Sequence, residues 1–173
     1  MAIPLHQALV PSFRQIVGAV EGLVGKAEAF AAERGLSPDA LLGARLAPDM
    51  LPFAVQVKFV AGHSLGAIRG AQAGAFGPDR SPPPADLAGL AALMRDTAAG
   101  LDALDPAEVD ALAGRPVRFE AGELKLPFTA EEFLLSFSQP NFYFHASMVY
   151  AILRKEGVPL GKRDFLGRLR LAH

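Results

Sequence analysis

Residues 4 to 34, PLHQALVPSFRQIVGAVEGLVGKAEAFAAER, keep one helical period over a stretch too long for a strand or a loop. At about 100° per residue, His6, Val10, Phe13, Val17, Val20, Val24 and Ala31 form one stripe. Arg14, Gln15, Lys26 and Glu33 lie outside it, and Gly35 supplies the stop. Pro11 predicts a kink in the first turns or a later start.

The period recurs in LPFAVQVKFVAGHSLGAIRGAQAG from 51 to 74 and in ADLAGLAALMRDTAAGLDAL from 85 to 104. In the former, Lys58, Arg69 and Gln72 take one side and Phe53, Val60, Ala67 and Ala71 the other. Between the two stretches AFGPDRSPPPAD, with four prolines in twelve residues, is a loop long enough for a crossover. SPDALLGARL reads as a short helix or turn capped by Ser37, and DPAE from 105 as a capping box. Only RPVRFEAGELKLPFT changes to a period of two, predicting a two-stranded hairpin that turns at Ala121-Gly122. TAEE from 129 opens a fourth long helix that runs past Pro140 to about Glu156, ahead of a basic, irregular tail from 157 to 173. The expectation is an all-α, four-helix bundle with a β-hairpin between the third and fourth helices, in one domain spanning 1–173.

Composition narrows the function classes. The chain has 173 residues, 51% hydrophobic and 20% charged, with a net charge of −1, so no global field recruits nucleic acid or an anionic membrane. Charged or amide residues interrupt every apolar stretch before membrane-spanning length. With no cysteine there is no disulfide, thiolate nucleophile or Cys-ligated zinc. No export leader precedes the first periodic stretch, so the cytoplasm is the expected compartment.

Polar groups on the apolar faces mark the candidate site. On an ideal wheel started at Phe133, Phe144 falls at about 20°, Phe137 at about 40°, Met148 at about 60°, Asn141 at about 80° and His145 at about 120°, all facing the interior. Gln56 and His63 share the inner arc of the second helix, and His6 lies on the stripe of the first. Three imidazoles suffice for a zinc or nickel site with an open position. The competing reading is that Asn141 and His145 hydrogen-bond each other, a tyrosine or a carbonyl freed by Pro140, and hold the helix together. Arg45 and Asp49, four apart before the second helix, either bind an anion or substrate edge or lock their loop. GKRD from 161 lacks the rest of a phosphate loop, and GHSLG from 62 lacks the preceding strand of a nucleophile elbow.

ARLAPDMLPFAVQV and QPNFYFHASMVYAILRKEGVPLGKRDFLG resemble a bacterial family of unknown function in the DinB/YfiT-like superfamily, over nearly the whole chain. The resemblance implies an up-down-down-up four-helix bundle, often a homodimer. It also implies a divalent metal held by one histidine on the second helix and a His-x-x-x-His pair on the fourth, and in some members group transfer or isomerisation with a small thiol. Here Asn141 and Val149 flank the one matching histidine, His145, while either Gln56 or His63 stands for the second-helix ligand. Two functions follow as expectations. One is a degenerate metal-dependent transferase or hydrolase, with His63 and His145 as ligands of zinc or nickel. The other is a non-catalytic dimeric protein that binds a small molecule without metal, or is associated with stress. In both, Arg45, Asp49, Gln56, Asn141 and His145 are the expected pocket residues.

Overall fold

In α1, Leu5–Arg34, the apolar stripe is buried along its whole length, from Leu5 through Phe13, Val20 and Val24 to Ala31. Pro11 lies inside this helix without delaying its start, because burial of Leu9, Val10 and Phe13 around it outweighs one missing backbone bond. The computed structural model describes residues 3–171, apart from the side chains of 38 and 39.

A short α2, Pro38–Leu42, leads to α3, Phe53–Ala61, which continues through a π-helical segment, Gly62–Gly66, into α4, Ala67–Ala73. After the proline-rich loop, α5, Leu87–Asp102, starts at Asp86, whose carboxylate accepts from the Gly89 N–H at 2.6 Å. Asp105 caps α6, Pro106–Asp110, in the same way. Thr129 opens the last long helical stretch: α7, Ala130–Glu132, a second π-helical segment, Phe133–Ser138, and α8, Gln139–Lys155. α1 packs mainly on α5, and α3 on α8, while α1 with α8 and α3 with α5 close the ring around the core. The protein is therefore mostly helical, with a small sheet at one end.

That sheet has three strands, not the two of the hairpin expectation. β2, Pro116–Ala121, pairs antiparallel with β3, Leu124–Thr129. β1, Ala75–Phe76, adds in parallel beside β2, with Phe76 opposite Phe119. Two residues gave no periodicity to read, so the sequence held no signal for β1. The hairpin turns one residue later than expected, at Gly122-Glu123, because Ala121 still pairs with Leu124 and Gly122 has φ 60°.

The tail is also more ordered than its composition suggested. α9, Lys162–Leu166, lies on α1, where Gln15 donates to the Leu166 carbonyl at 2.8 Å and Lys26 pairs with Asp164 at 2.6 Å. Asp164 is thus spent on Lys26 and the Gly161 N–H, and its last two residues lie outside the described chain.

The second π-helical segment changes which residues face inward. A π turn adds the equivalent of one residue to the helical ladder and rotates everything after it by about 100°. Phe142, His145, Ala146, Val149, Ile152 and Leu153 are accordingly the buried residues of α8. Their centre lies at about 160° on the wheel where the ideal helix put the core at about 60°. Phe144, expected inside, is 50% exposed.

Candidate functional site

The two π-helical segments meet where the polar side chains are. Ser138, fully buried at the end of one, donates its hydroxyl proton to the His63 carbonyl in the other at 3.1 Å. With that proton spent, Ser138 Oγ accepts from His63 Nδ1 at 3.2 Å. From α3, Gln56 donates its amide N–H to the Leu51 carbonyl at 3.2 Å and turns Oε1 toward His145 Nδ1 at 2.7 Å. A carboxamide oxygen only accepts, so the hydrogen-bond network assigns the proton to Nδ1 of both histidines. Among the described residues neither Nε2 has a hydrogen-bond partner and no buried side-chain nitrogen or oxygen is left unpaired, so both Nε2 atoms open toward accessible space.

That space is a cavity of about 630 Å³ lined by His63, His145 and Asn141 at its polar side. Phe59, Phe76, Phe119 and Phe137 form its aromatic walls, and Leu65, Leu93 and Thr97 the side toward α5. The imidazoles stack with centroids 5.6 Å apart and planes 19° from parallel, with Phe59 5.0 Å from His145. α5 packs closely at Gly100, where an added Cβ would meet the end of the Leu65 side chain and require it to shift. Burial, and for His63 also the neighbouring His145, pushes both imidazoles down to about 4, so both are neutral at pH 7.

The proline-rich loop covers one side of the cavity, and a lysine holds it there. Lys58, expected on the solvent side of its helix, is buried, since the loop folds back over it. Its ammonium donates to the carbonyls of Asp79 and Ser81 and to Ser81 Oγ, and pairs with the Asp79 carboxylate at 3.0 Å. Hydrogen bonds from the Ser81 N–H and hydroxyl, joined by Lys58, hold Asp79 down at about 2. A Lys58→Met variant should loosen the segment around the exposed Arg80-Ser81 bond and speed tryptic cleavage there on the order of tenfold, the loss of about one charge-assisted hydrogen bond. Cleavage at the wild-type rate would mean that the prolines alone hold the loop.

Among the expected site residues, the structure brings together Gln56, His63, Asn141 and His145. It leaves three others outside. Arg45 and Asp49 are exposed and do not line the cavity. Arg45 instead donates to the Pro48 carbonyl at 3.3 Å and accepts from Lys155 through its own carbonyl at 2.9 Å, a loop-locking arrangement. His6 sits at the start of α1, its backbone N–H bonded to Asp110 at 2.8 Å. Sequence reasoning missed Lys58, Arg69 and Ser138 as site residues. Only Ser138, inside the stretch that carries Asn141 and His145, left any signal. Ser64 of the discarded GHSLG motif is fully buried and donates back to the Val60 carbonyl at 2.7 Å.

The donor chemistry only partly suits a zinc or nickel ion. Two neutral imidazoles with free Nε2 atoms, each Nδ1–H held by an acceptor, have the outer-shell pattern of metal-ligating histidines. The third donor is the obstacle. Asn141 spends its amide N–H on the Phe137 carbonyl at 2.8 Å and offers a neutral Oδ1, a poor ligand for either metal. Among the described residues no group of three or more His, Asp or Glu side chains is placed to hold an ion.

The mostly helical fold is that of a DinB-like protein, and no helix of the described residues is long and apolar enough to cross a membrane. The structure is similar to the crystal structure of a DinB family member from Shewanella denitrificans, with a TM-score of 0.80 and 25% identity over 98% of this chain and 95% of that one. The chain belongs to the family described as "Domain of unknown function (DUF1993)", whose model matches residues 5–166. A comparison with curated proteins gave no match.

Proposed function

We propose that the cavity between the helices binds a small organic molecule whose N–H or O–H group donates to the paired imidazoles of His63 and His145. The observation that carries this reading is the anchoring of both Nδ1–H groups, which leaves two acceptor nitrogens at one end of an aromatic cavity. Asn141 Oδ1 adds a third neutral acceptor. Strong general-base catalysis at pH 7 is disfavoured, because a base held at about 4 drives proton abstraction weakly. The fold around the pocket is then the up-down-down-up bundle that the family resemblance implies, serving binding before chemistry.

The second reading is a divalent transition metal at the two Nε2 atoms, favoured by the Gln56 and Ser138 acceptors behind the histidines. Neutral imidazoles would take such an ion without competition from protons, but Asn141 would have to give way to a ligand from outside the protein.

One thermal-shift assay on protein without a histidine tag separates the two. Apolar fragments with and without an N–H or O–H donor, and zinc and nickel salts, are added to wild type and His145→Ala. On the leading reading, donor-bearing fragments at about 100 times Kd raise Tm on the order of 5 to 10 °C, and the variant loses the shift. A shift from zinc or nickel alone, lost in His145→Ala, would replace that reading with the metal one.

A further inference from the structure

The charges that line the cavity are nearly all spoken for. Lys58 and Asp79 neutralise each other at 3.0 Å, and both imidazoles are uncharged at pH 7. What remains is Arg69, on α4, which lines the cavity from an exposed position and enters no ion pair among the described residues. A cationic ligand would find its one possible counter-charge, Asp79, already paired, and would meet the guanidinium besides. An anion finds the reverse: an unpaired planar fork of donors matched to a carboxylate, sulfonate or phosphate. Behind the fork the walls are aromatic. Phe76 is 6.4 Å from Phe119, and Phe119 is 4.7 Å from Phe137, a continuous surface for an apolar body.

We propose that the cavity takes a small aromatic or otherwise apolar organic anion, its acid group at Arg69 and its body against Phe76, Phe119 and Phe137. This rests on the cavity being a ligand site at all, and the test separates the two claims.

Two fluorescent probes of nearly the same shape differ in the charge that matters. 8-Anilinonaphthalene-1-sulfonate carries an acid group, and N-phenyl-1-naphthylamine lacks it. Both are titrated into wild type, Arg69→Gln, Arg69→Lys and Arg168→Gln, the last altering a separate groove lined by Arg14, Arg168 and Arg170. The expected result is that Arg69→Gln weakens the sulfonate about tenfold, or about 1.4 kcal/mol, while leaving the neutral probe within about twofold. Arg69→Lys should recover part of the loss, and Arg168→Gln should change neither probe. If the sulfonate ignores Arg69→Gln or responds to Arg168→Gln instead, while the neutral probe still binds, the anion proposal is overturned and the pocket survives. Loss of both probes in an Arg69→Gln protein with an unchanged circular dichroism spectrum would also overturn it, by making Arg69 a shaper of the cavity. Saturable binding of neither probe to wild type would remove the pocket itself.

Discussion

Phe142→Ala is expected to destabilise the protein by about 3 to 5 kcal/mol, while Phe144→Ala, two residues along the same helix, stays within about 1 kcal/mol. Phe142 is fully buried and packs edge-to-face on Phe13 of α1 with ring centroids 4.6 Å apart. Phe144 is 50% exposed and meets His145 only at its edge. Urea unfolding of the two variants measures the difference. The contrast is a test of the π-helical segment Phe133–Ser138, because an unbroken α-helix through these residues would reverse the order of the two losses. Equal losses, or the larger loss at Phe144, would show that the segment does not rotate α8 as described.

The second large effect is a loss of stability in mild acid. His63 and His145 titrate at about 4 in the folded protein and near 6.5 when unfolded. Between these values the unfolded chain takes up protons that the folded one refuses. Stability is therefore complete above about pH 6.5, falls as the pH drops toward 4, and levels off below that. Each imidazole accounts for roughly 3.4 kcal/mol at most, reduced by water reaching it through the cavity mouth. The carboxylate of Asp79 titrates at about 2 and contributes below this window. Urea unfolding at pH 7.5, 5.5 and 4.5 should trace the slope, and the double variant His63→Gln, His145→Gln should flatten it. A wild-type slope that persists in the double variant would assign the acid sensitivity to other groups.

At Phe142 and Phe144 local pattern and final structure part company. The helical stripes of α1, α3 and α5 were legible because burial on one face imposes a period that survives in the residue types. The Asp105 and Thr129 caps and the β2–β3 hairpin were legible because each is specified by a few adjacent residues. Phe142 was not, because nothing local marks a π turn. Its extra residue is stabilised by contacts such as Ser138 with His63, 75 positions away in the chain. The expectation that His145 faces inward survived the rotation because its position at about 120° lies between the expected centre near 60° and the observed one near 160°.

The candidate site divides along the same line. That Gln56, His63 and His145 face inward was readable from helical phase. That Gln56 serves as the acceptor behind His145, not as a ligand in place of His63, depends on two helices brought together over 89 residues. Lys58 was misread because a lysine on a helix normally faces water. Its burial depends on a loop more than twenty residues later folding back to supply four oxygen acceptors. For Arg45 and Asp49 the spacing left two readings open, a paired site or a locked loop, and Arg45 holds the loop through backbone carbonyls.

The proposed ligand site depends on two neutral imidazoles that keep their protons on Nδ1 and offer Nε2 to the cavity. Nitrogen-15 NMR of the histidine rings, followed from pH 7.5 down to 3.5, reads protonation and tautomer together. His63 and His145 are expected to be Nδ1–H tautomers at pH 7 and to protonate with midpoints near 4. Midpoints near 6.5, or rings protonated on Nε2 at pH 7, would mean that the cavity is not lined by two neutral Nε2 acceptors.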